Sequence, residues 1–269
     1  ERLAVEMYAR GLSTRDIEDA LEEATGDRLL SRTAVSQITE VLWDEYEAFA
    51  ERDLSGFEVE YLFLDAVYES LRRQGGGKEG IMSAWAICAD GRKVMLHLAL
   101  GNKESYPNWL EFIRDLVRRG LQTPVLVTTD GAPGLLRAVE EAFPRSLRQR
   151  CLAHKTRNVT DKVPDSVRAE IKNAVRAAYY APNREVADMI AADTLKTYQG
   201  DYPSAMRSFQ DDWGASVAYL RCPAIHHKRI RTTNLLERSF LEERRRTRTI
   251  PRFFSEKSCL KLVFATLWR

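Results

Sequence analysis

The stretch VEYLFLDAVYESL, residues 59–71, is the strongest fold signal in this chain. Apolar and aromatic residues fill it with the alternation of a strand, which predicts a largely buried β-strand. Asp65 interrupts the apolar run, and a carboxylate inside a hydrophobic strand requires a partner or a function. An arginine partner would be a structural reason for Asp65, and a bound cation would be a functional one.

The residues that follow continue the sheet with tight connections. Strands are predicted over 80–90 and 93–101, and the Asp90-Gly91 pair between them is a hairpin signal, so three strands form an antiparallel meander. Helices are then predicted over 106–120 and 134–143, and strands over 124–131 and 146–152. With a last helix near the end of the chain, the order is β-β-β-α-β-α-β-α, an α/β fold with a mixed sheet.

Residues 1–54 show helical patterns that are typical of a small DNA-binding domain. In ARGLSTRDIEDAL, Ser13 and Asp16 predict a capping box, and LLSRTAVSQITEVLWDEYEAF (29–49) predicts a second helix capped by Ser31 or Thr33. Two such helices are typical of a helix-turn-helix, although an ordinary helical hairpin is the alternative. The second helix would present these side chains to the major groove: Arg32, Ser36, Gln37 and Thr39.

The composition limits the class of protein. Of 269 residues, 44% are hydrophobic, which supports a full core, and no apolar run approaches the ~20 residues that span a bilayer. The sequence shows no signal peptide, and its four cysteines are scattered, so we expect a reduced, cytoplasmic protein without a membrane partner. Net charge is only +2, but eight Lys or Arg residues stand against three Glu in 226–248, an excess that suits a polyanion site and a solubilising surface equally.

Two aspartates occupy positions that suit metal chemistry. Asp130 ends the predicted strand 124–131, and ligands gather at the carboxyl ends of parallel strands. If the strands of Asp65 and Asp130 are neighbours, their carboxylates repel unless a cation lies between them, and oxygen ligands suit Mg²⁺ or Mn²⁺. The structural alternative for Asp130 is a turn or helix cap.

The stretch TTNLLERSFLEERRRTRT, residues 232–249, predicts a helix that can supply a third carboxylate. Three carboxylates would suit a two-metal site for phosphoryl transfer. Glu237 and Glu243 both flank the apolar stripe of this helix, so periodicity does not choose between them. Glu237 also has a structural alternative, as the partner of an Asn234 cap in a capping box.

Four blocks of sequence resemble a known family. They are YLFLDAVYESLR, LVTTDGAPGLLRAVEEAFP, QRCLAHKTRNV and IRTTNLLERSFLEERRRTR. In this order they resemble bacterial Mutator-type transposases of insertion sequences, and the resemblance extends over essentially the whole chain. It implies a ribonuclease-H-like core with a DDE triad, interrupted by an all-α insertion. The implied domains are a helix-turn-helix-like segment 1–54, a first core segment 55–152, the insertion 153–225 and a last core segment 226–269.

The resemblance also implies catalytic residues, cofactors and partners. The triad matches Asp65, Asp130 and the glutamate of TTN-x-x-E, Glu237, which would hold two Mg²⁺ or Mn²⁺ ions. The implied reaction hydrolyses the phosphodiester at an element end, frees a 3′-OH and joins it to target DNA by strand transfer. The implied partners are double-stranded DNA, as both transposon ends and target, and a second copy of the chain in a dimer at the bacterial nucleoid.

A C-x-x-H pair, Cys151 and His154, lies near the expected active site. We expect His154 to orient a carboxylate or to contact the scissile phosphate. The alternative is a zinc site completed by Cys222 and either His226 or His227.

Basic side chains around the triad are expected to hold DNA phosphates. They are Lys155, Arg157, Arg229, Arg231, Arg244, Arg245, Arg246 and Arg248. Trp213 could stack on an unpaired base, with a place in the core as the more conservative interpretation.

Two other functions compete with that of a transposase. A non-catalytic DNA-binding regulator derived from a transposase would not need Asp65, Asp130 and Glu237 together. A ribonuclease-H-type nuclease would need the acids, but neither the N-terminal DNA-reading module nor the insertion.

Overall fold

A five-stranded mixed sheet organises the computed structural model, which describes residues 1–70, 78–101, 105–247, 253 and 255–268. The strands are β1 (Val59–Ser70), β2 (Lys78–Cys88), β3 (Lys93–Gly101), β4 (Leu126–Thr129) and β5 (Leu147–Arg150). Their spatial order is β3-β2-β1-β4-β5. β2 is antiparallel to β1 and β3, whereas β4 is parallel to β1 and β5. The predicted meander is confirmed, and so is the adjacency of the first and fourth strands.

Fourteen α-helices accompany the sheet within the described ranges. They are α1 (Arg2–Ala9), α2 (Thr14–Thr25), α3 (Arg32–Ile38), α4 (Val41–Glu51), α5 (Tyr106–Arg118), α6 (Pro133–Ala142), α7 (Leu152–Thr160), α8 (Asp165–Tyr179), α9 (Arg184–Tyr198), α10 (Pro203–Gln210), α11 (Trp213–Ser216), α12 (His227–Ile230), α13 (Asn234–Thr247) and α14 (Glu256–Trp268). Short 3₁₀ turns occupy Ala218–Arg221 and Ala224–His226. The α/β class and the predicted element order are confirmed. Within the described residues, no helix has the length and apolar character needed to cross a bilayer.

The strand alternation divides the hydrophobic core into two layers. Leu62 and Leu64 of β1 contribute to the layer that includes Trp109 of α5. Phe63 and Val67 contribute to the opposite layer, which the helices from α7 onward and α14 share. The helical segment after β5 therefore lies on one face of the sheet, the face toward which Asp65 also points.

The N-terminal region contains four helices rather than the predicted two. The predicted capping box of Ser13 and Asp16 is present at the start of α2, and Ser31 caps α3. The prediction of one helix over 29–49 is wrong, because the chain turns between α3 and α4 at Thr39.

Thr39 breaks the helix because its side chain forms local and long-range bonds. Its hydroxyl donates to the Ser36 carbonyl at 2.9 Å, and it accepts from Lys261 of α14 at 3.4 Å. A threonine hydroxyl that bonds to a nearby carbonyl competes with the regular helix. Thr39 is fully buried, so the expectation that it reads a DNA groove is wrong.

The other three side chains expected to read DNA lie on α3 and are exposed to solvent. Ser36 and Gln37 are exposed, and Arg32 forms an ion pair with Glu18 at 2.9 Å. Val5 and Leu42 share a cluster with Ala265 of α14, so the first helices pack directly against the last one. DNA reading by α3 and the domain boundaries given above stay predictions.

His97 of β3 is a buried titratable group that packs against α5. Its ring stacks on Phe112 with a centroid distance of 4.6 Å, and its Nε2 lies 3.4 Å from the Asp115 carboxylate. Burial, followed by the positive charges of Arg119 and Arg52, lowers the pKa of His97 to about 4, although Asp115 acts in the opposite direction.

This lowered pKa predicts that the protein loses stability in mild acid. The unfolded histidine takes up a proton near the ordinary histidine pKa of 6.5, whereas the folded one does so only near about 4. The free energy of unfolding should therefore fall between these values as the pH decreases, by at most about 3 kcal/mol. Urea unfolding at about pH 7.5 and about pH 5 measures the loss, which we expect to be clearly smaller in His97→Gln. Equal losses in both proteins would contradict the prediction.

Candidate active site

Strand alternation and register bring Asp65 and Asp130 together. Leu64 of β1 pairs with Thr129 of β4, and the two aspartates are the next residues along these parallel strands. Cys151 follows β5 in the same row, and its N–H donates to the Thr129 carbonyl at 2.7 Å. The three side chains therefore gather at the carboxyl ends of β4 and β5, where ligands bind in such sheets.

The Asp65 carboxyl group is nearly buried, with 8% of the residue exposed. Burial, followed by the charge of Asp130, raises its pKa to about 7. The charge of His154 and hydrogen bonds from the Ala66 N–H and from Thr233 oppose this shift only in part. No arginine of the described residues forms an ion pair with Asp65, so the structural reason considered for this acid is not supported, and the charge excess suits a cation.

Asp130 ends β4 at a sharp turn. Its Oδ1 accepts a hydrogen bond from the Ala132 N–H at 2.9 Å, which is the turn geometry considered as its structural alternative. Gly131 has φ of +92°, a conformation that favours glycine. Arg150 packs against this glycine, and its Nη1 donates to the Gly131 carbonyl at 2.8 Å. Gly131 and Arg150 together hold the backbone that carries Asp130.

The chain before α13 is fixed to the carboxyl ends of the strands. The Thr128 hydroxyl of β4 donates to the Ile230 carbonyl at 2.7 Å. The Leu152 N–H at the start of α7 donates to the Arg231 carbonyl at 3.0 Å. These bonds set where α13 begins relative to the two aspartates.

Helix α13 begins at Asn234, and the Glu237 N–H donates to the Thr233 carbonyl at 3.0 Å. Thr233 therefore occupies the capping position, because its carbonyl accepts the first intrahelical bond. The expectation that Asn234 caps the helix with Glu237 as its capping-box partner is wrong by one residue. The structural alternative for Glu237 is weakened accordingly.

His154 on α7 lies among the three acids. Its Nε2 is 3.9 Å from Glu237 Oε1. The neighbouring Cys151 raises the pKa of His154 to about 9 against the effect of burial, and the charges of Asp65 and Asp130 add to the increase. The ring is therefore protonated at neutral pH and places a positive charge beside three carboxylates.

Thr233 connects Cys151 with the acidic cluster, a role that sequence reasoning missed. Its N–H and its hydroxyl both lie 3.3 Å from Cys151 Sγ, and its side chain also bonds to Asp65. Burial opposes ionisation of the Cys151 thiol, but the neighbouring His154 and Thr233 outweigh it and lower its pKa. The sequence signal for Thr233 was its place in the TTN-x-x-E block, before the helix of the third acid.

The structure separates the two glutamates that periodicity left equivalent. Glu243 is fully buried in the core, whereas the Glu237 side chain is 34% exposed and faces His154. Glu237 is therefore the acid of α13 that approaches the site. The side chain of Glu242 lies outside the described residues.

Two sets of donor atoms in this site are candidates for a metal ion, but within the described residues only the second is tightly grouped. The carboxylate oxygens of Asp65, Asp130 and Glu237 suit Mg²⁺ or Mn²⁺, and the raised pKa of Asp65 shows an excess of negative charge that a cation would relieve. The second set is Cys151, His154 and Glu237, whose ligand atoms lie within 4.8 Å of one another. Its donor types suit zinc, which would have to displace the proton of His154, because the neighbouring Cys151 raises the pKa of that ring to about 9. The oxygen set suits the excess of negative charge at Asp65, whereas the Cys151 set has the closer geometry.

The zinc site considered with Cys222 does not form in this structure. His226 Nδ1 lies 2.6 Å from the Tyr61 hydroxyl, and His227 Nε2 lies 2.8 Å from the Cys222 carbonyl. Within the part of the chain that the structure describes, these residues do not join Cys151 and His154 in a ligand group.

The basic side chains expected to contact DNA have different environments. Arg157, Arg229, Arg244 and Arg245 are exposed, and Arg231 is half-buried. Arg246 donates to the Ala9 carbonyl at 2.7 Å, and Arg248 lies outside the described residues. Lys155 is buried, its Nζ donates to the Asp211 carbonyl, and burial lowers its pKa to about 8. Lys155 therefore ties α7 to the turn after α10, and we assign it no DNA contact.

Trp213 packs within the helical segment after β5. Its ring stacks on Tyr179 at 5.9 Å and meets Phe209 edge-on, and its Nε1 donates to Asp188 at 2.6 Å. These contacts support the core interpretation, and base stacking by Trp213 stays a prediction.

Comparison with known proteins identifies the family. A family model described as "Transposase, Mutator family" matches residues 1–268. The chain belongs to the Mutator family of transposases. The resemblance drawn from its motifs is thus confirmed.

Relatives of this Mutator-family chain are transposases of bacterial insertion sequences. The chain is 33% identical to the transposase for insertion sequence element IS6120 of Mycolicibacterium smegmatis, over 90% of this chain and 75% of that protein. It is 34% identical to the transposase for ISRM5 of Rhizobium meliloti, over 97% of this chain and 65% of that protein. For the transposase for IST2 of Acidithiobacillus ferrooxidans the identity is 36%, over 67% of this chain and 62% of that protein. The chain thus spans about two thirds of the length of these relatives.

Gly131→Ala should damage the site through its backbone. A Cβ at this position would lie 1.3 Å from Arg150 Nη1, and φ of +92° would strain any alanine. Gly91→Ala is the matched control, because Gly91 has φ of +81° but no atom within 4 Å of its Cβ position. We expect Gly131→Ala to lower the free energy of unfolding by more than the ~1 kcal/mol strain expected for the control, and to weaken Mn²⁺ binding. Thermal unfolding and Mn²⁺ titration measure both effects, and equal behaviour of the two variants would contradict this account.

Metal binding should depend on pH because of Asp65. Below its pKa of about 7 the Asp65 carboxyl group holds a proton that a cation must displace, so affinity should fall as the pH decreases. His154, with a pKa of about 9, stays mostly protonated over this range and does not account for the change. Mn²⁺ titrations at about pH 6 and about pH 8 measure the effect in wild type and in Asp65→Asn, which should bind weakly at both. Wild-type affinity that is the same at both pH values would contradict the prediction.

Proposed function

We propose that this chain is a DDE transposase in which Asp65, Asp130 and Glu237 hold two Mg²⁺ or Mn²⁺ ions. The observation that carries the proposal is the convergence of acids from β1, β4 and α13 around His154. The chain would bind the ends of an insertion sequence, hydrolyse the phosphodiester to free a 3′-OH, and join that 3′-OH to target DNA.

We further propose that the core is ribonuclease-H-like. The sheet order β3-β2-β1-β4-β5, with two aspartates side by side on β1 and after β4, supports this assignment. The helices from α7 to α12 stand between β5 and the helix of Glu237, which is the place of the implied all-α insertion. Residues 1–54 would then be the DNA-reading segment.

The contacts and charges in the site suggest a separate role for each of its groups. Bound ions would activate the attacking oxygen and stabilise the leaving oxygen of the phosphodiester. Thr233 holds Asp65 in place, and the Gly131 turn holds Asp130. Protonated His154, 3.9 Å from Glu237, orients that carboxylate and adds positive charge where a phosphate would enter.

The proposed partners are double-stranded DNA, as element ends and target, and a second copy of the chain. Exposed Arg157, Arg229, Arg244 and Arg245 supply positive charge on the protein surface for contacts with DNA phosphates. A dimer would hold two element ends at once. DNA as the substrate places this activity at the bacterial nucleoid.

Two alternatives fit the site less well. A regulator without catalysis would not need a buried Asp65 beside the carboxylate of half-buried Asp130. A ribonuclease-H-type nuclease would not need the helices of residues 1–54, nor the helices between β5 and α13.

Glu237→Gln should abolish DNA cleavage and leave DNA binding intact. Loss of a metal ligand costs several kcal/mol in the transition state, so we expect cleavage to slow by at least about 100-fold. Labelled DNA that carries an end of the insertion sequence, with Mg²⁺ or Mn²⁺, measures cleavage and strand transfer, and anisotropy in EDTA measures binding. Glu185→Gln, an exposed glutamate of α9, is the control and should retain activity. Full cleavage by Glu237→Gln would rule out the proposed triad.

A further inference from the structure

An open groove between α7 and α8 gathers positive charge outside the acidic cluster. Its volume is about 330 Å³, and we call it the α7–α8 groove. It is lined by three basic side chains, Arg157, Lys172 and Arg176, together with Thr156, Thr160 and Tyr180. No acidic side chain of the described residues lines it.

The three cations of the groove are exposed and lack acidic partners in the described part of the chain. Other arginines of the same region are paired, with Arg168 at 2.8 Å from Asp165 and Arg184 at 2.8 Å from Asp188. Like charges gathered along one groove repel each other, and an anion relieves the repulsion. The groove therefore has the charge of a polyanion site.

The groove reaches the chain that enters α13. The Arg231 guanidinium lies 4.1 Å from the centre of the Tyr180 ring, and that of Arg176 lies 5.2 Å from it. The Arg231 carbonyl also accepts the hydrogen bond from the Leu152 N–H, and Thr233 follows two residues later. Through the contact of Tyr180 with Arg231, the groove borders the chain segment that positions Glu237.

The first turn of helix α7 lies between the groove and the acidic cluster. Ala153 borders the groove, and the next residue, His154, lies 3.9 Å from Glu237. A strand with one phosphate at the acids therefore meets the groove as it passes along α7. Within the groove the Thr156 and Thr160 hydroxyls donate to helix carbonyls, so recognition of an anion depends on the three cations.

We propose that the α7–α8 groove binds the phosphodiester backbone of the DNA strand that leaves the acidic cluster, through Arg157, Lys172 and Arg176. The proposal rests on the proposed function for the identity of the strand. Contacts with phosphates carry no sequence information, so the groove holds DNA in register for the acids without selecting a sequence.

The salt dependence of DNA binding tests this assignment. The probe is a fluorescein-labelled duplex of unrelated sequence and about 30 base pairs, titrated by anisotropy in EDTA over a series of KCl concentrations. Removal of one phosphate-binding cation should make the slope of log K against log salt shallower by about 0.9. The triple variant Arg157→Gln, Lys172→Gln, Arg176→Gln should therefore have a slope shallower by about 3, with at least about tenfold weaker binding at low salt.

A matched variant removes the same number of charges elsewhere. Lys93, Arg145 and Lys196 are exposed and do not line the groove, so Lys93→Gln, Arg145→Gln, Lys196→Gln should keep the wild-type slope within about one. Thermal unfolding checks that both variants are folded. If the groove variant does not fold, Arg176→Gln alone should make the slope shallower by about 1.

The outcomes separate this proposal from the proposed function. A wild-type slope in the groove variant, or an equal change in the matched variant, would overturn the groove assignment while DNA cleavage by the wild-type protein stands. Wild-type protein that neither binds the duplex nor cleaves element-end DNA would overturn the transposase proposal, and the groove assignment with it.

Discussion

Asp65 and Asp130 repel each other, and the surrounding site is built to tolerate that repulsion. The parallel register of β1 and β4 puts the two carboxylates side by side, and burial of Asp65 removes water that would screen its charge. A folded chain keeps such a pair where one carboxyl group holds a proton or where positive charge compensates the pair. Protonated His154 supplies part of that charge, and the metal ions that we propose would supply the rest.

The third acid reaches this pair through contacts that are distant in sequence. Thr128 and Leu152 hold the carbonyl groups of Ile230 and Arg231, and Thr233 bonds to both Cys151 and Asp65. Residues at the carboxyl ends of β4 and β5 therefore fix the position of the start of α13. Glu237, one turn into the helix, lies beside His154 because the backbone before it is fixed at three points.

The helices between β5 and α13 have two roles in this arrangement. Lys155 and Trp213 point inward, where they bond to the Asp211 carbonyl and to Asp188, and hold the helices together. Arg157 points outward on the same helix as Lys155 and joins cations of α8 in the α7–α8 groove. Lys155 and Arg157 are only two residues apart on α7, so one side of this helix stabilises the segment and another faces the groove that we propose to bind DNA.

Sequence patterns alone were enough to predict the β-meander, the Ser13 capping box and the unusual position of Asp65, because these depend on periodicity and bonding within one element or between neighbours. Sequence patterns could not show which other helix or strand packs against each face of an element. Long-range packing selected Glu237 over Glu243 as the acid that faces His154, and it moved the start of α13 one residue earlier than expected. The α7–α8 groove had no sequence signal either, since Arg157 and Arg176 come from different helices and only packing brings their charges together.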